Sequence, residues 1–148
     1  MRPVILCGVT CTAIALSLPA PAGDAKTDAI KKELAALQGD WLVVSSVYEG
    51  KNLLEDEKVT INIKGDWVTI FGNGKKKDTS VVKLDPSKSP KAYDEHPLDP
   101  EDNKVVLGIY KLEKDMLTLC YTMGKERPKA FDGKADDTGL IVMKRQKP

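Results

Sequence analysis

The chain has 148 residues, of which 41% are hydrophobic, 30% charged and 5% aromatic. That length supports one domain with a sizeable core rather than two. Its 23 basic residues balance 22 acidic ones, so no charge bias points to nucleic acid or to an anionic membrane surface.

Met1-Arg2 supplies a short positive start, Val4 to Leu18 carries no charge, and Ala20-Pro21-Ala22 offers small residues where a signal peptidase reads. Residues 1–22 therefore read as a secretory signal peptide, since the apolar stretch is too short and wrongly flanked for a spanning helix. Neither Cys7 nor Cys11 sits in the small-residue pattern of a lipid anchor. The expected protein is exported, periplasmic or extracellular, with no membrane insertion after cleavage. Cleavage removes Arg2 and no acid, leaving 22 basic against 22 acidic residues. One cysteine, Cys120, then remains, so no internal disulfide can form and a packed core must supply the stability. A buried strand cysteine is the simple reading of Cys120, a reactive thiol the sharper one.

Residues 23–29 are small and polar and read as a flexible tether, and residues 30–148 as the folded domain. Ile30, Leu34 and Leu37 fall at helical spacing, with Thr27 or Asp28 available as a cap and Gly39 as the stop. From Trp41 the period changes to two, giving a strand to Tyr48 and a turn at Glu49-Gly50. Val59, Ile61 and Ile63 alternate with polar residues, and Gly65-Asp66 is a tight-turn pair. A two-residue turn there sets Lys64 opposite Trp67, Ile63 opposite Val68 and Ile61 opposite Ile70, so one face of the hairpin is uniformly apolar. Asn73-Gly74 starts a return strand over residues 76–84.

Pro86, Pro90, Pro97 and Pro100 break residues 85–103 into an expected loop with a short strand near 91–95. Residues 105–112 and 116–122 form the next hairpin about Lys114-Asp115, pairing Leu112 with Leu117, Tyr110 with Leu119 and Gly108 with Tyr121. Residues 139–145 make the last strand. Seven or eight short strands, tight turns and one short N-terminal helix predict an all-β fold, an antiparallel barrel or sandwich.

Catalytic patterns are missing. His96 is the one histidine and falls in the proline-rich loop, there is no CxxC pair in the mature chain, and no G-x-S-x-G elbow or phosphate-cradling glycine loop. The carboxylates at Glu55-Asp56-Glu57, Asp94-Glu95, Asp99 to Asp102 and Asp136-Asp137 cluster at expected turns and read as solvated loop tips. No EF-hand spacing marks a calcium loop. The sequence thus predicts a non-enzyme without cofactor or metal.

The aromatic residues say more. Tyr110 and Tyr121 share the apolar face of Leu112, Leu117 and Leu119. They either pack at the core edge with their hydroxyls in water, the simpler reading, or offer hydrogen bonds to a ligand inside a barrel. Arg127 is a third candidate as an anion clamp, against a structural salt bridge. Trp67 and Phe71 fall on the polar face of their hairpin, where the N-terminal helix covers them or a partner docks.

The stretches "LQGDWLVVS", "KLDPSKSPK", "LGIYKLEKDMLTLCY", "GKERPKAF" and "IVMKRQKP" together resemble a family of small exported planctomycete domains of unknown function, from about Leu37 to the C-terminus. The resemblance implies a lipocalin-like β-barrel, all-β and antiparallel up-and-down with about eight strands and a short N-terminal helix, and no established activity, ligand or catalytic residue. Gly39-Asp40-Trp41 also resembles the Gly-x-Trp opening of lipocalins, in which a basic residue near the last strand packs across the tryptophan. Lys144 or Arg145 is that partner here, so Gly39, Trp41 and Arg145 are expected to close the barrel. The disulfides and other motifs of typical lipocalins are missing. The functional expectation is a barrel that binds a small apolar or amphipathic molecule, with a protein-interaction or envelope-structural module, its partner unidentified, as the alternative.

Overall fold

The computed structural model describes residues 22–54, 56–99, 101 and 104–147; the expected signal peptide lies outside them except for Ala22. One helix, α1 (Ala22–Leu37), precedes nine strands: β1 (Gly39–Tyr48), β2 (Lys51–Asn52), β3 (Val59–Lys64), β4 (Trp67–Gly72), β5 (Lys75–Asp85), β6 (Lys91–Pro97), β7 (Val106–Glu113), β8 (Met116–Thr122) and β9 (Thr138–Arg145). Each strand from β3 onward pairs with the next, and β1 pairs with both β3 and β9. All the pairings are antiparallel, so eight strands close an up-and-down barrel, and the two-residue β2 is an appendage on β1. Closure removes the sheet edges that would otherwise invite association.

Both hairpin registers derived from the turns are present: Lys64 faces Trp67 and Ile61 faces Ile70, while Leu112 faces Leu117 and Gly108 faces Tyr121. The period-two pattern then points Ile61, Ile63, Val68, Leu117 and Leu119 into one core with Trp41 and Met143.

The helix starts earlier than its composition implies. Residues 23–29, expected as a tether, are helical though exposed, and Thr27 bonds back to the Gly23 carbonyl at 3.0 Å rather than capping a later start. Nor does the helix cover Trp67, which stays 51% exposed. Its apolar stripe instead crosses one end of the barrel, where Leu37 is fully buried and Leu34 packs on the core. Ion pairs Lys26–Asp85 at 3.7 Å and Lys91–Glu33 at 2.5 Å hold it to β5 and β6.

That end is sealed by residues around Gly39. The Gln38 side chain bonds both ways with Gly65 in the β3–β4 turn, accepting from its N–H at 2.6 Å and donating to its carbonyl at 2.9 Å. Gly39 opens β1 at φ +118°, a region that side chains resist, and a Cβ there would lie 3.5 Å from the Arg145 guanidinium. Trp41 is fully buried and donates its indole N–H to the Leu37 carbonyl at 3.0 Å. Arg145 stacks 4.2 Å from the Trp41 ring centre and donates to the Gln38 and Ala36 carbonyls at 2.5 and 2.7 Å. A cation at the last helical carbonyls also opposes the negative end of the helix dipole. Arg145→Ala is expected to lower stability by about 2 kcal/mol, chiefly through those charged hydrogen bonds. Urea denaturation of the variant measures it, and an unchanged midpoint would remove the clasp.

Candidate functional site

A cavity of about 200 Å³ occupies the barrel beyond this sealed end. Ile61, Ile63, Val68 and Ile70 line one side of it and Leu117 and Leu119 another. Asp78 and Met123 line it too, yet both are exposed, which places its mouth at the opposite end from α1. Leu98 and Val105 beside β6 and β7 join Met123 as exposed apolar residues at that end.

Two irregularities shape the mouth. The β4–β5 register shifts between Ile70 and Phe71, so Lys77 is an extra residue and Asp78 comes to face Ile70. Asp78 thereby joins Ser80, Val82 and Leu84 on the inner face of β5. Across from β1, Gly139 pairs with Tyr121, and a Cβ on it would lie 2.3 Å from the tyrosine ring. The missing side chain is the space in which Tyr121 lies, 6.5 Å from the Tyr48 ring centre.

The polar groups of the interior belong mostly to β5 and β6. Glu95, expected at a solvated loop tip, points into the barrel, because β6 runs unbroken over Lys91–Pro97 and pairs on both sides. His96, expected in a loop, is also part of this strand, opposite Val81. The Ser80 hydroxyl donates a short hydrogen bond to Glu95 Oε1, and the Tyr93 hydroxyl donates to Oε2 at 3.2 Å. Burial pushes the Glu95 carboxyl above its ordinary value and the negative charge of Asp78 adds to this, against the two hydrogen bonds. Burial and the same carboxylate push the Tyr93 hydroxyl well up.

A raised folded-state pKa has a definite sign for stability. Below the ordinary carboxylate range both folded and unfolded forms hold the proton, and the shift has no effect. Between that range and the raised value the folded form holds more protons, so Glu95 weakens the fold as pH rises through this window. Glu95→Gln keeps an oxygen for Ser80 and Tyr93 without a charge. Urea midpoints measured from acid to neutral pH are expected to fall for the wild type relative to this variant. Parallel profiles would contradict the burial of a titrating carboxyl.

The sequence candidates separate. Tyr110 and Tyr121 both line the cavity, whereas Arg127 does not. Arg127 lies outside the barrel wall, in an ion pair with Asp94, and donates to the Gly108 carbonyl at 2.7 Å. These contacts tie the loop after β8 to β6 and β7 and match the structural salt bridge weighed against an anion clamp. Tyr110 presents its ring, 6.3 Å from that of Tyr93, but its hydroxyl is spent on the closed end, donating to Glu33 at 3.0 Å. Tyr121 makes no hydrogen bond from its hydroxyl to any described residue, and it faces the mouth. Glu95, Asp78 and Ser80 were outside the sequence candidates; the inward-outward alternation of Tyr93-Asp94-Glu95 was the available signal.

Cys120 is fully buried on the outer side of β8. Burial pushes its thiol upward, against backbone hydrogen bonds from Gly133 and Asp132. Alkylation by iodoacetamide at neutral pH is therefore expected only after unfolding; stoichiometric labelling of the folded protein would contradict this.

Fold and site together define a closed antiparallel β-barrel, sealed by a helix at one end, with an apolar and acid-edged cavity opening at the other. Set against protein-family models, curated proteins and solved structures, the chain matches none of them.

Proposed function

We propose that this is an exported, non-catalytic, lipocalin-like domain that holds one small apolar or amphipathic molecule in its barrel. The observation that carries the reading is the cavity itself, about 200 Å³ walled by aliphatic side chains and open at the end away from α1. Small barrels of eight strands either fill their interior with side chains or leave room for one small ligand. An apolar void of roughly 150 Å³ already admits a benzene-sized molecule, while drug-sized ligands need about 300–1,000 Å³. The occupant is accordingly small, a ring or short chain with one polar group, and not a long-chain lipid. The apolar Leu98, Val105 and Met123 at the rim suit its entry. Export rests on the charge-free run and small-residue cleavage site before Gly23.

Native mass spectrometry of the purified mature protein tests this reading. A reproducible bound mass, lost on gentle activation, is expected. A bare protein that also takes up no small aromatic or aliphatic compound would overturn it.

A second reading, a protein-interaction or envelope-structural module, rests on Trp67, exposed on the outer face of β4. Replacement of Trp67 by Ser tests it through partner recovery from the exported fraction. Recovery unchanged by the substitution would remove its basis.

A further inference from the structure

The charges in the cavity wall are all of one sign. Its lining includes Asp78 and Glu95 and the three tyrosines 93, 110 and 121, and no lysine, arginine or histidine among the described residues. Glu95 is the deeper carboxylate, and its described hydrogen-bond donors are both neutral, the hydroxyls of Ser80 and Tyr93. An ionised carboxylate has room for about four hydrogen bonds, so capacity remains on the cavity side. Among the described residues no cation pairs with it, whereas the shallower Glu33 and Asp94 each have one. Buried charges are ordinarily paired, because removing an unpaired carboxylate from water is costly. Val82 and Val106, its neighbours across β5 and β7, supply no polar group. Asp78 adds a second negative charge at the mouth, where a third of its own kind would be repelled and a cation drawn in.

From this arrangement we infer that the cavity selects a small apolar amine, its ammonium donating to Glu95 and its hydrocarbon part lying among Ile61, Ile70, Leu117 and Leu119. The inference rests on the proposed ligand-binding function and specifies its ligand class. The ammonium supplies the counter-charge that the wall lacks, and the Tyr121 ring and hydroxyl stand beside it at the mouth. An anion of the same size meets two carboxylates and is rejected. A neutral isostere fits the apolar part and can donate to Glu95, but brings no counter-charge.

Three matched probes test it by isothermal titration calorimetry at neutral pH: 2-phenylethylamine, 2-phenylethanol and 3-phenylpropanoate. The amine is expected to bind about tenfold tighter than the alcohol, because only the amine adds a charge opposite to that of Glu95. The carboxylate is expected to bind more weakly than either. In Glu95→Gln the amine should lose its advantage and bind no tighter than the alcohol. Equal binding of amine and alcohol to the wild type would overturn the amine inference and leave the ligand-binding reading standing. Tighter binding of the carboxylate, or an amine preference that survives Glu95→Gln, would also overturn it. Binding of none of the three would bring down both.

Discussion

Trp41→Ala is expected to cost the domain about 3–5 kcal/mol, the usual range for truncating a fully buried tryptophan. The side chain has no exposed surface and its loss has three parts. The core loses its largest filled volume between α1 and the barrel wall. The Leu37 carbonyl loses the indole donor at 3.0 Å. Arg145 loses the ring on which it stacks at 4.2 Å, so its grip on the helix carbonyls loosens as well. Domains of this kind have only about 5–15 kcal/mol in all, so the loss is a large fraction of the total. Equilibrium urea denaturation, followed by far-ultraviolet circular dichroism, gives the value. A loss below about 1 kcal/mol would mean that the sealed end is incidental to the core.

Val106→Phe is expected to separate binding from folding. Val106 lines the cavity on β7, opposite Glu95 of β6, close to the mouth. A phenyl ring there has an existing void to enter, so the strain of overpacking a full core does not arise. Filling a cavity commonly adds about 0.5–2 kcal/mol of stability. Binding of a small ring compound should meanwhile drop at least about tenfold, since one lost apolar ring contact of this kind is worth upward of 1.4 kcal/mol. Calorimetric titration and a urea midpoint on the same sample read both quantities. Undiminished binding in a variant that folds would place the ligand elsewhere than in the barrel.

The parts of the fold that were legible in the sequence are those where one local rule acts alone. Gly65-Asp66 and Lys114-Asp115 each set a two-residue turn, and the apolar alternation on either side admits one register, so both hairpins follow from their own residues. Gly39 and Trp41 were readable for a similar reason, a helix stop followed directly by a change of period. The choice of Arg145 over Lys144 as the tryptophan's partner needed the strand's parity: Lys144 pairs with Leu42, whose neighbour Trp41 pairs with Arg145.

The cavity's chemistry was far less legible. Between Lys91 and Pro97 only Tyr93 is a large apolar residue facing inward, and Glu95 takes the next inward position. A carboxylate there breaks the apolar alternation that announces a half-buried strand, and the surrounding prolines favour a loop. Asp78 depends on the bulge at Lys77, which no residue pattern in "GKKKDTS" marks. The helix was misplaced against Trp67 because an amphipathic stripe shows that a surface is needed without showing which one. In this barrel the surface is the end that α1 closes, built from several strands at once, which no single strand's sequence contains.

The most direct test of a ligand-binding barrel is a methyl nuclear magnetic resonance titration of the protein labelled at isoleucine. Ile61, Ile63, Ile70 and Ile141 line the cavity, whereas Ile30 lies on the helix and Ile109 on the outer wall beside Cys120. Addition of 2-phenylethylamine is expected to shift the four cavity methyls together, saturably, and to leave Ile30 and Ile109 in place. Shifts confined to Ile30 or Ile109, or no shift at saturating probe, would contradict the account.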